Sequence, residues 1–238
     1  MLKQRLKRAV KTLLGKESGV FVDTAFMIQY VAKCMTPMSV YVEFGAFTGL
    51  TGKWFREMSG ISPSHCYLVE ACPTNYDLMK TYCAGFHLFN LAVSGQEGTL
   101  PFYIVDRDID EGTSRSNSFD RRHLEKRFGK ENVKEIQIRA LTVASFLREN
   151  AVQQVDFMFF NIEGAEYAIF EGDISFLDQV QYLYLDLHQL RNDDSTLKKR
   201  QLAIYDRIIA QGYERLAGHR REDIPRIEDH LSFLWVKR

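Results

Sequence analysis

Val40-Tyr41-Val42-Glu43-Phe44-Gly45-Ala46-Phe47-Thr48-Gly49 reads as a buried β-strand that runs straight into a glycine-punctuated turn and then a helix. Cys66-Tyr67-Leu68-Val69 is a second apolar strand, and it ends on an acid, Glu70. Strand, glycine turn, helix, strand, acid is the layout of a nucleoside-binding βαβ unit. Glycines let the backbone approach a ligand closely, and the terminal acid can accept from both hydroxyls of a ribose. The spacing Gly45-x-x-x-Gly49 is not GxGxxG. A dinucleotide fold needs its tight turn to seat a pyrophosphate on a helix N-terminus. The looser turn here, with Glu43 just ahead of it, suits a ligand that carries positive charge and no phosphate. S-adenosylmethionine, with its sulfonium and amino group, fits that description.

Working outward, Pro37 and Ser39 break the pattern before the first strand, and helices are expected near 2–14 and 22–35. After Glu70, Pro73 stands where a helix would begin. Phe86 to Phe89 form a further strand that leads into Asn90-Leu91-Ala92-Val93-Ser94. Strands follow at Leu100–Val105, Ile136–Arg139, Val155–Phe160 and Gln181–Leu185, with helices near 142–149 and 196–211. Tyr213 to Ala217 and Leu231 to Val236 read as a closing strand pair. Strands alternating with helices imply a mostly parallel sheet covered on both faces, with ligands bound outside the carboxyl ends of the strands. Polar residues collect at those ends: Glu43, Glu70, Asn90, Asn161, Glu163, Asp186 and His188.

Composition sets the bounds. The chain has 238 residues, 45% of them hydrophobic and 13% aromatic, which suffices for one domain with a substantial core. The domain reading is an N-terminal helical segment over 1–37 and a ligand-binding domain over 38–238. Formal net charge is zero, so no global field draws the protein to nucleic acid. Cys34, Cys66, Cys72 and Cys83 lack metal-ligand spacing and read as reduced thiols of a cytoplasmic protein. No apolar run reaches transmembrane length, and no signal peptide is evident. Near the N-terminus, Lys3, Arg5, Lys7, Arg8, Lys11 and Lys16 surround Leu2, Leu6, Val10, Leu13 and Leu14 at helical spacing. Such a helix can lie on an anionic membrane surface, although packing on its own domain or on a second subunit is the commoner use of such a stripe. Residues 106–132 are mixed in charge and low in hydrophobicity. They read either as a solvated loop or as a mobile lid over an acceptor site.

The second strong signal is Phe157-Met158-Phe159-Phe160-Asn161-Ile162-Glu163-Gly164-Ala165-Glu166. An apolar strand delivers Asn161 and Glu163 at its mouth, and Gly164 permits a sharp turn. Glu166 falls in the first turn of a helix, where an acid is stabilised by the dipole or serves as a cap. A site role for Glu166 is equally open at this point. Glu163 has no such local duty.

Taken together these motifs resemble the FkbM family of S-adenosylmethionine-dependent methyltransferases. Glu43, Gly45, Ala46 and Gly49 match its acid–x–Gly–Ala–x–x–Gly turn; Glu70, Pro73 and Asn75 match the segment after its second strand. Asn90, Ala92, Val93 and Ser94 match its Asn–x–Ala–Val–Ser run, and Glu163, Gly164 and Glu166 match its Asp–x–Glu–Gly–x–Glu hallmark. The resemblance covers roughly 40–190. It implies a Rossmann-like class I methyltransferase fold with a mostly parallel seven-stranded sheet. It implies S-adenosyl-L-methionine held by Glu43, Gly45, Ala46, Phe47, Gly49, Glu70, Ala71, Asn90, Ala92 and Val93. It also implies a small-molecule or glycan acceptor with a sugar hydroxyl. Two departures stand out: Asn161 replaces the family's usual Asp, and Phe160 replaces its Lys.

Transfer of a methyl group to a hydroxyl needs the acceptor oxygen held in line and its proton removed. Asn161 is no base but can orient a hydroxyl; Glu163 and His188 are the candidate bases. Asp186 lies two residues before His188, on the same strand face. Glu163, Asp186 and His188 are also a candidate set for a divalent metal, although their spacing is not a metal signature. The loss of the acid at Asn161 keeps a second expectation open: a methyltransferase-like module that binds the nucleoside without chemistry.

Overall fold

A computed structural model describes residues 20–22, 24–105, 117–187, 195–219 and 232–238. His188, the helix expected near 2–14 and the first part of the expected lid, 106–116, lie outside the described residues.

The strands are β1 (Val20–Val22), β2 (Tyr41–Phe44), β3 (Cys66–Val69), β4 (His87–Phe89), β5 (Ala92–Val93), β6 (Gly98–Val105), β7 (Val133–Leu141), β8 (Val155–Phe160), β9 (Val180–Asp186), β10 (Tyr213–His219) and β11 (Ser232–Lys237). The helices are α1 (Thr24–Ala32), α2 (Leu50–Ser59), α3 (Pro73–Tyr82), α4 (Arg121–Phe128), α5 (Val143–Glu149), α6 (Glu166–Glu171) and α7 (Ser195–Ala210). The main sheet runs β1-β10-β11-β9-β8-β2-β3-β4. Its pairs are parallel except where β11 meets β10 and β9. Seven of these strands are the expected Rossmann-like set. The eighth, β1, adds to the edge beside β10, just ahead of the helix expected near 22–35 and observed as α1.

Side chains on the inner strands alternate between two apolar layers. Tyr41, Leu68, Phe157 and Phe159 pack with Met27, Ile28 and Val31 of α1, Phe55 of α2 and Met79 of α3. Val42, Phe44, Met158 and Phe160 pack with Phe146 of α5, Phe170 of α6 and Ile204 of α7 on the other face. Burial on both faces explains why β8 reads as a near-continuous apolar run. Phe160 is the hub of one layer, with ring centroids 5.0 Å from Phe44 and 5.2 Å from Phe170.

Besides β1, a strand within the 1–37 segment read as helical, two features depart from the sequence reading. A separate three-stranded sheet, β5-β7-β6, forms beside the main one, with β6 and β7 as a long antiparallel pair. Within 106–132, residues 117–132 are packed rather than loop-like. Ser118 pairs with Tyr103 in an isolated bridge, and α4 follows. Asp120 caps α4 by accepting from the His123 amide, Arg121 meets Glu125 one turn on, and Leu124 is fully buried. One buried leucine and a side-chain cap hold a helix whose other residues are mostly charged, which is why low hydrophobicity gave no sign of it.

Candidate active site

Strand register sets the site. Phe44 is level with Val69 and with Phe160, and Val69 is level with Phe89. The residues one step beyond, Asn90, Glu70, Gly45 and Asn161, therefore stand in a row along the carboxyl edge of the sheet. The chain leaves β2 toward β3 on one side, whereas β8 returns on the other. The crevice between Gly45 and Asn161 is thus the topological switch point, where sheets of this kind bind ligands. A cavity of about 240 Å³ opens there.

Glu70 organises the glycine turn. Its Oε2 accepts from the Phe47 amide at 2.8 Å, and its Oε1 from the Cys72 amide at 2.8 Å and Asn75 Nδ2 at 3.3 Å. Phe47 is left-handed at φ 53°, a region that costs a residue with a Cβ about 1–2 kcal/mol. The charged acceptor offsets that strain. Burial pushes the Glu70 carboxyl up to about 7, against the pull of the three donors. Glu43 is more deeply enclosed, its Oε2 accepting from the Tyr41 hydroxyl at 2.9 Å, and burial drives it up to about 8. Each carboxyl holds its proton more readily than usual until a cation or donor arrives.

The glycines have different reasons. A Cβ at Gly45, where φ is 80°, would fall 2.0 Å from the Asn161 carbonyl oxygen. At Gly49, φ 77°, it would meet Cys83 Sγ at 2.5 Å and Met79 Cγ at 2.8 Å. Gly45 thus admits the neighbouring strand end, and Gly49 admits helix α3.

After β8 the chain turns sharply. Glu163 is left-handed at φ 38° and Gly164 at φ 103°. Glu166 is fully buried, its Oε1 accepting from the Ile162 amide at 3.2 Å and its Oε2 from the Gly164 amide at 2.7 Å. Its carboxylate holds the turn that presents Glu163, a structural duty in the turn.

Of the residues expected at the site, Glu43, Gly45, Ala46, Phe47, Glu70, Ala71, Ala92, Val93, Asn161 and Glu163 line the cavity. Gly49 and Asn90 do not. Asn90 Nδ2 instead donates to the carbonyls of Glu70 at 2.9 Å and Ala71 at 3.1 Å, fixing the end of β3. Asp186 accepts from the Ser232 hydroxyl at 2.7 Å and also lies outside the lining. Among the described residues no group of His, Cys, Asp and Glu is placed to hold a metal ion. Nor is any helix there long and apolar enough to cross a membrane. Sequence reasoning did not single out Thr48, Leu91, Phe102, Asn117 and Phe119, which also line the wall. Leu91 and Thr48 sat inside quoted motifs, and Asn117 and Phe119 inside the 106–132 stretch read as a loop or a lid; Phe102 comes from β6 of the second sheet, for which no motif spoke.

The cavity fits a nucleoside cofactor on its own chemistry. Thr48 Oγ1 is buried in its wall with no hydrogen-bond partner among the described residues, which is costly unless a ligand supplies one. The lining combines carboxylates at Glu43, Glu70 and Glu163 with apolar Leu91, Ala92 and Val93.

The profile of the "Methyltransferase FkbM domain" family matches residues 44–229. No curated protein sequence matches the chain. Among solved structures, the FkbM methyltransferase of Methylobacillus flagellatus KT is similar at 12% identity and a TM-score of 0.48. The match covers 84% of this chain but 44% of that one, so the chain spans less than half of that relative's length. An O-methyltransferase from Bacillus cereus, solved with S-adenosyl-homocysteine, is similar at 10% identity and a TM-score of 0.46, with all of both chains covered. TrmK of M. capricolum, in complex with the same cofactor product, is similar at 9% identity and a TM-score of 0.41, covering 89% of this chain and 66% of that one. With its hallmark turn at the switch point and the family profile spanning most of its length, the chain belongs to the FkbM methyltransferase family.

Proposed function

We propose that this methyltransferase uses S-adenosyl-L-methionine to methylate a hydroxyl of a small molecule, with a sugar of a glycan or glycosylated natural product as the acceptor class. The observation that carries the reading is the single cavity running from the Gly45–Thr48 turn past Glu70 to Asn161 and Glu163. One end offers a carboxylate for ribose hydroxyls and small apolar walls for a base; the other offers an amide and a carboxylate beside each other.

When bound, the cofactor would supply an electrophilic methyl carbon for the acceptor oxygen, with the C–S electron pair leaving to sulfur. The rest falls to this chain. Glu70 accepts from the ribose hydroxyls while keeping the Phe47 and Cys72 amides, since each carboxylate oxygen has lone pairs for more than one donor. Thr48 Oγ1 bonds the cofactor. Glu43 ionises beside the cofactor's positive charge, which offsets the burial that otherwise holds its proton. Asn161 orients the acceptor hydroxyl, and Glu163 receives its proton as the bond forms. The carboxylates around the cavity also favour a cationic ligand over a neutral one.

One observation favours a second reading. Asn161 puts a neutral amide where the family hallmark has an acid, as in a module that binds the nucleoside but transfers nothing. Calorimetry with S-adenosylhomocysteine tests the cofactor. Tritium transfer from methyl-labelled S-adenosylmethionine to a panel of monosaccharide glycosides tests the chemistry. Binding without transfer to any sugar in the panel favours the second reading; absence of binding removes both.

A further inference from the structure

The residue that joins the two sheets at the cavity is Ser118. It is 2% exposed, and it exchanges both backbone hydrogen bonds with Tyr103, at 2.9 and 3.0 Å. Its Oγ donates to the carbonyl oxygen of Glu163 at 2.8 Å and accepts from the Asp120 amide at 3.1 Å. The same hydroxyl is thus fixed on one side by the start of α4 and on the other by the left-handed residue after β8. Its neighbours Asn117 and Phe119 both line the cavity. Asn117 Oδ1 accepts from the Val105 amide at 3.0 Å, and Phe119 packs edge-on against Phe102, with ring centroids 5.1 Å apart. Both flanking residues are therefore anchored to β6, and Ser118 reaches across to the turn.

A left-handed conformation is disfavoured for any residue with a Cβ and persists where surroundings over-determine it. At Glu163 two groups do so from opposite sides. The Glu166 carboxylate holds the amides of Ile162 and Gly164, and the Ser118 hydroxyl holds the carbonyl between them. Glu166 is part of the turn's own helix; Ser118 comes from a different sheet.

We propose that Ser118 is a positioning residue of the active site: its hydroxyl, bonded to the Glu163 carbonyl, fixes the turn so that the Glu163 carboxylate faces the acceptor end of the cavity. The proposal deepens the functional reading and rests on the assignment of Glu163 as proton acceptor. Ser118 touches neither cofactor nor acceptor; it acts through Glu163.

The test compares Ser118→Ala with Ser118→Thr, which keeps the hydroxyl. Transfer from labelled S-adenosylmethionine to a glycoside accepted by the wild type should fall in kcat by about tenfold in the Ala variant, the scale of one net hydrogen bond. Affinity for S-adenosylhomocysteine should stay within about twofold, and the Thr variant should recover most of the loss. Equal losses in both variants, or a loss of cofactor affinity parallel to that of kcat, would overturn the proposal. Amide hydrogen exchange at Gly164 gives a readout independent of any acceptor. It should quicken by about tenfold in the Ala variant and return in the Thr variant. Unchanged exchange in Ser118→Ala rejects the proposal even where the wild type transfers no methyl group. A wild type that binds no S-adenosylhomocysteine defeats the functional reading and leaves the exchange result to decide the role of Ser118 in holding the turn.

Discussion

The carbonyl oxygen of Asn161 occupies the space in which any other residue at position 45 would carry its Cβ, 2.0 Å from the ideal atom. The first glycine of the nucleoside turn is therefore required by the adjoining strand end. Gly45→Ala should destabilise the protein by ~3 kcal/mol, from left-handed strain and backbone overlap together. For a chain of this size that lowers Tm by roughly 6–12 °C. A variant with normal Tm and lost cofactor affinity would mean that the glycine serves the ligand instead.

Thr48 offers the opposite case. Thr48→Val removes a buried hydroxyl without a partner while keeping the shape, so the ligand-free protein should gain up to ~1 kcal/mol. Affinity for S-adenosylhomocysteine should fall by a similar amount. Calorimetry and thermal melting on the same sample check both signs, and a variant that binds as the wild type does removes Thr48 from the cofactor contacts.

Glu70 titrates in the range where binding is measured. Below about 7 its carboxyl is mostly protonated and a poorer acceptor for ribose hydroxyls. Affinity for S-adenosylhomocysteine should therefore tighten as pH rises from 6 to 8. Glu70→Gln should lessen that dependence, leaving the share due to Glu43, and weaken binding by ~1.5–3 kcal/mol, the scale for hydrogen bonds to a charged group. A slope unchanged by the substitution would assign the titration to Glu43 alone.

The same burial has the reverse effect on folding. Glu43 and Glu70 have folded values of about 8 and about 7, above the usual carboxylate value of 4.5. Between 4.5 and those values the native state binds more protons than the unfolded state, so stability falls as pH rises through this window. It is recovered as pH drops back toward 4.5. Glu43→Gln keeps an acceptor for the Tyr41 hydroxyl and removes the ionisation. Its melting curve should decline less between pH 5 and pH 8 than that of the wild type, and an equal decline would show that Glu43 is not the group responsible.

Glu163→Gln should lower kcat by about 100-fold to 10,000-fold with cofactor affinity nearly unchanged, the share usual for a general base. Glu166→Gln should act differently. It turns one acceptor toward a backbone amide into a donor, at a cost of ~1–3 kcal/mol in chemical denaturation. Loss of transfer in the second variant without loss of stability would reassign Glu166 to the chemistry.

The inner strands were legible because β2, β3, β8 and β9 are buried on both faces and so read as apolar runs ending in polar residues. That pattern placed Glu70 and Asn161 in one row before any register was known. It could not say what each polar group bonds, because a hydrogen bond depends on which strand lies alongside. Asn90 thus proved to hold the end of β3, and Asp186 to bond Ser232. The second sheet was harder still. β5 is two residues long, and α4 has one buried apolar residue, so neither leaves a periodic trace. Asn117 and Phe119 reach the cavity beside that sheet, and charge-rich sequence around them concealed it.

The row of Asn90, Glu70, Gly45 and Asn161 also implies an order of assembly. Three of its members come from residues 41–90, a run of neighbouring strands and helices whose contacts are local in sequence. Asn161 arrives with β8, about seventy residues later, and must dock on the free edge of β2. Local pairing precedes distant pairing, because loop closure costs entropy before contacts reward it. During refolding the nucleoside half of the cleft should therefore gain amide protection before the transfer half, and the Gly45 turn should tighten only when the Asn161 carbonyl closes over it.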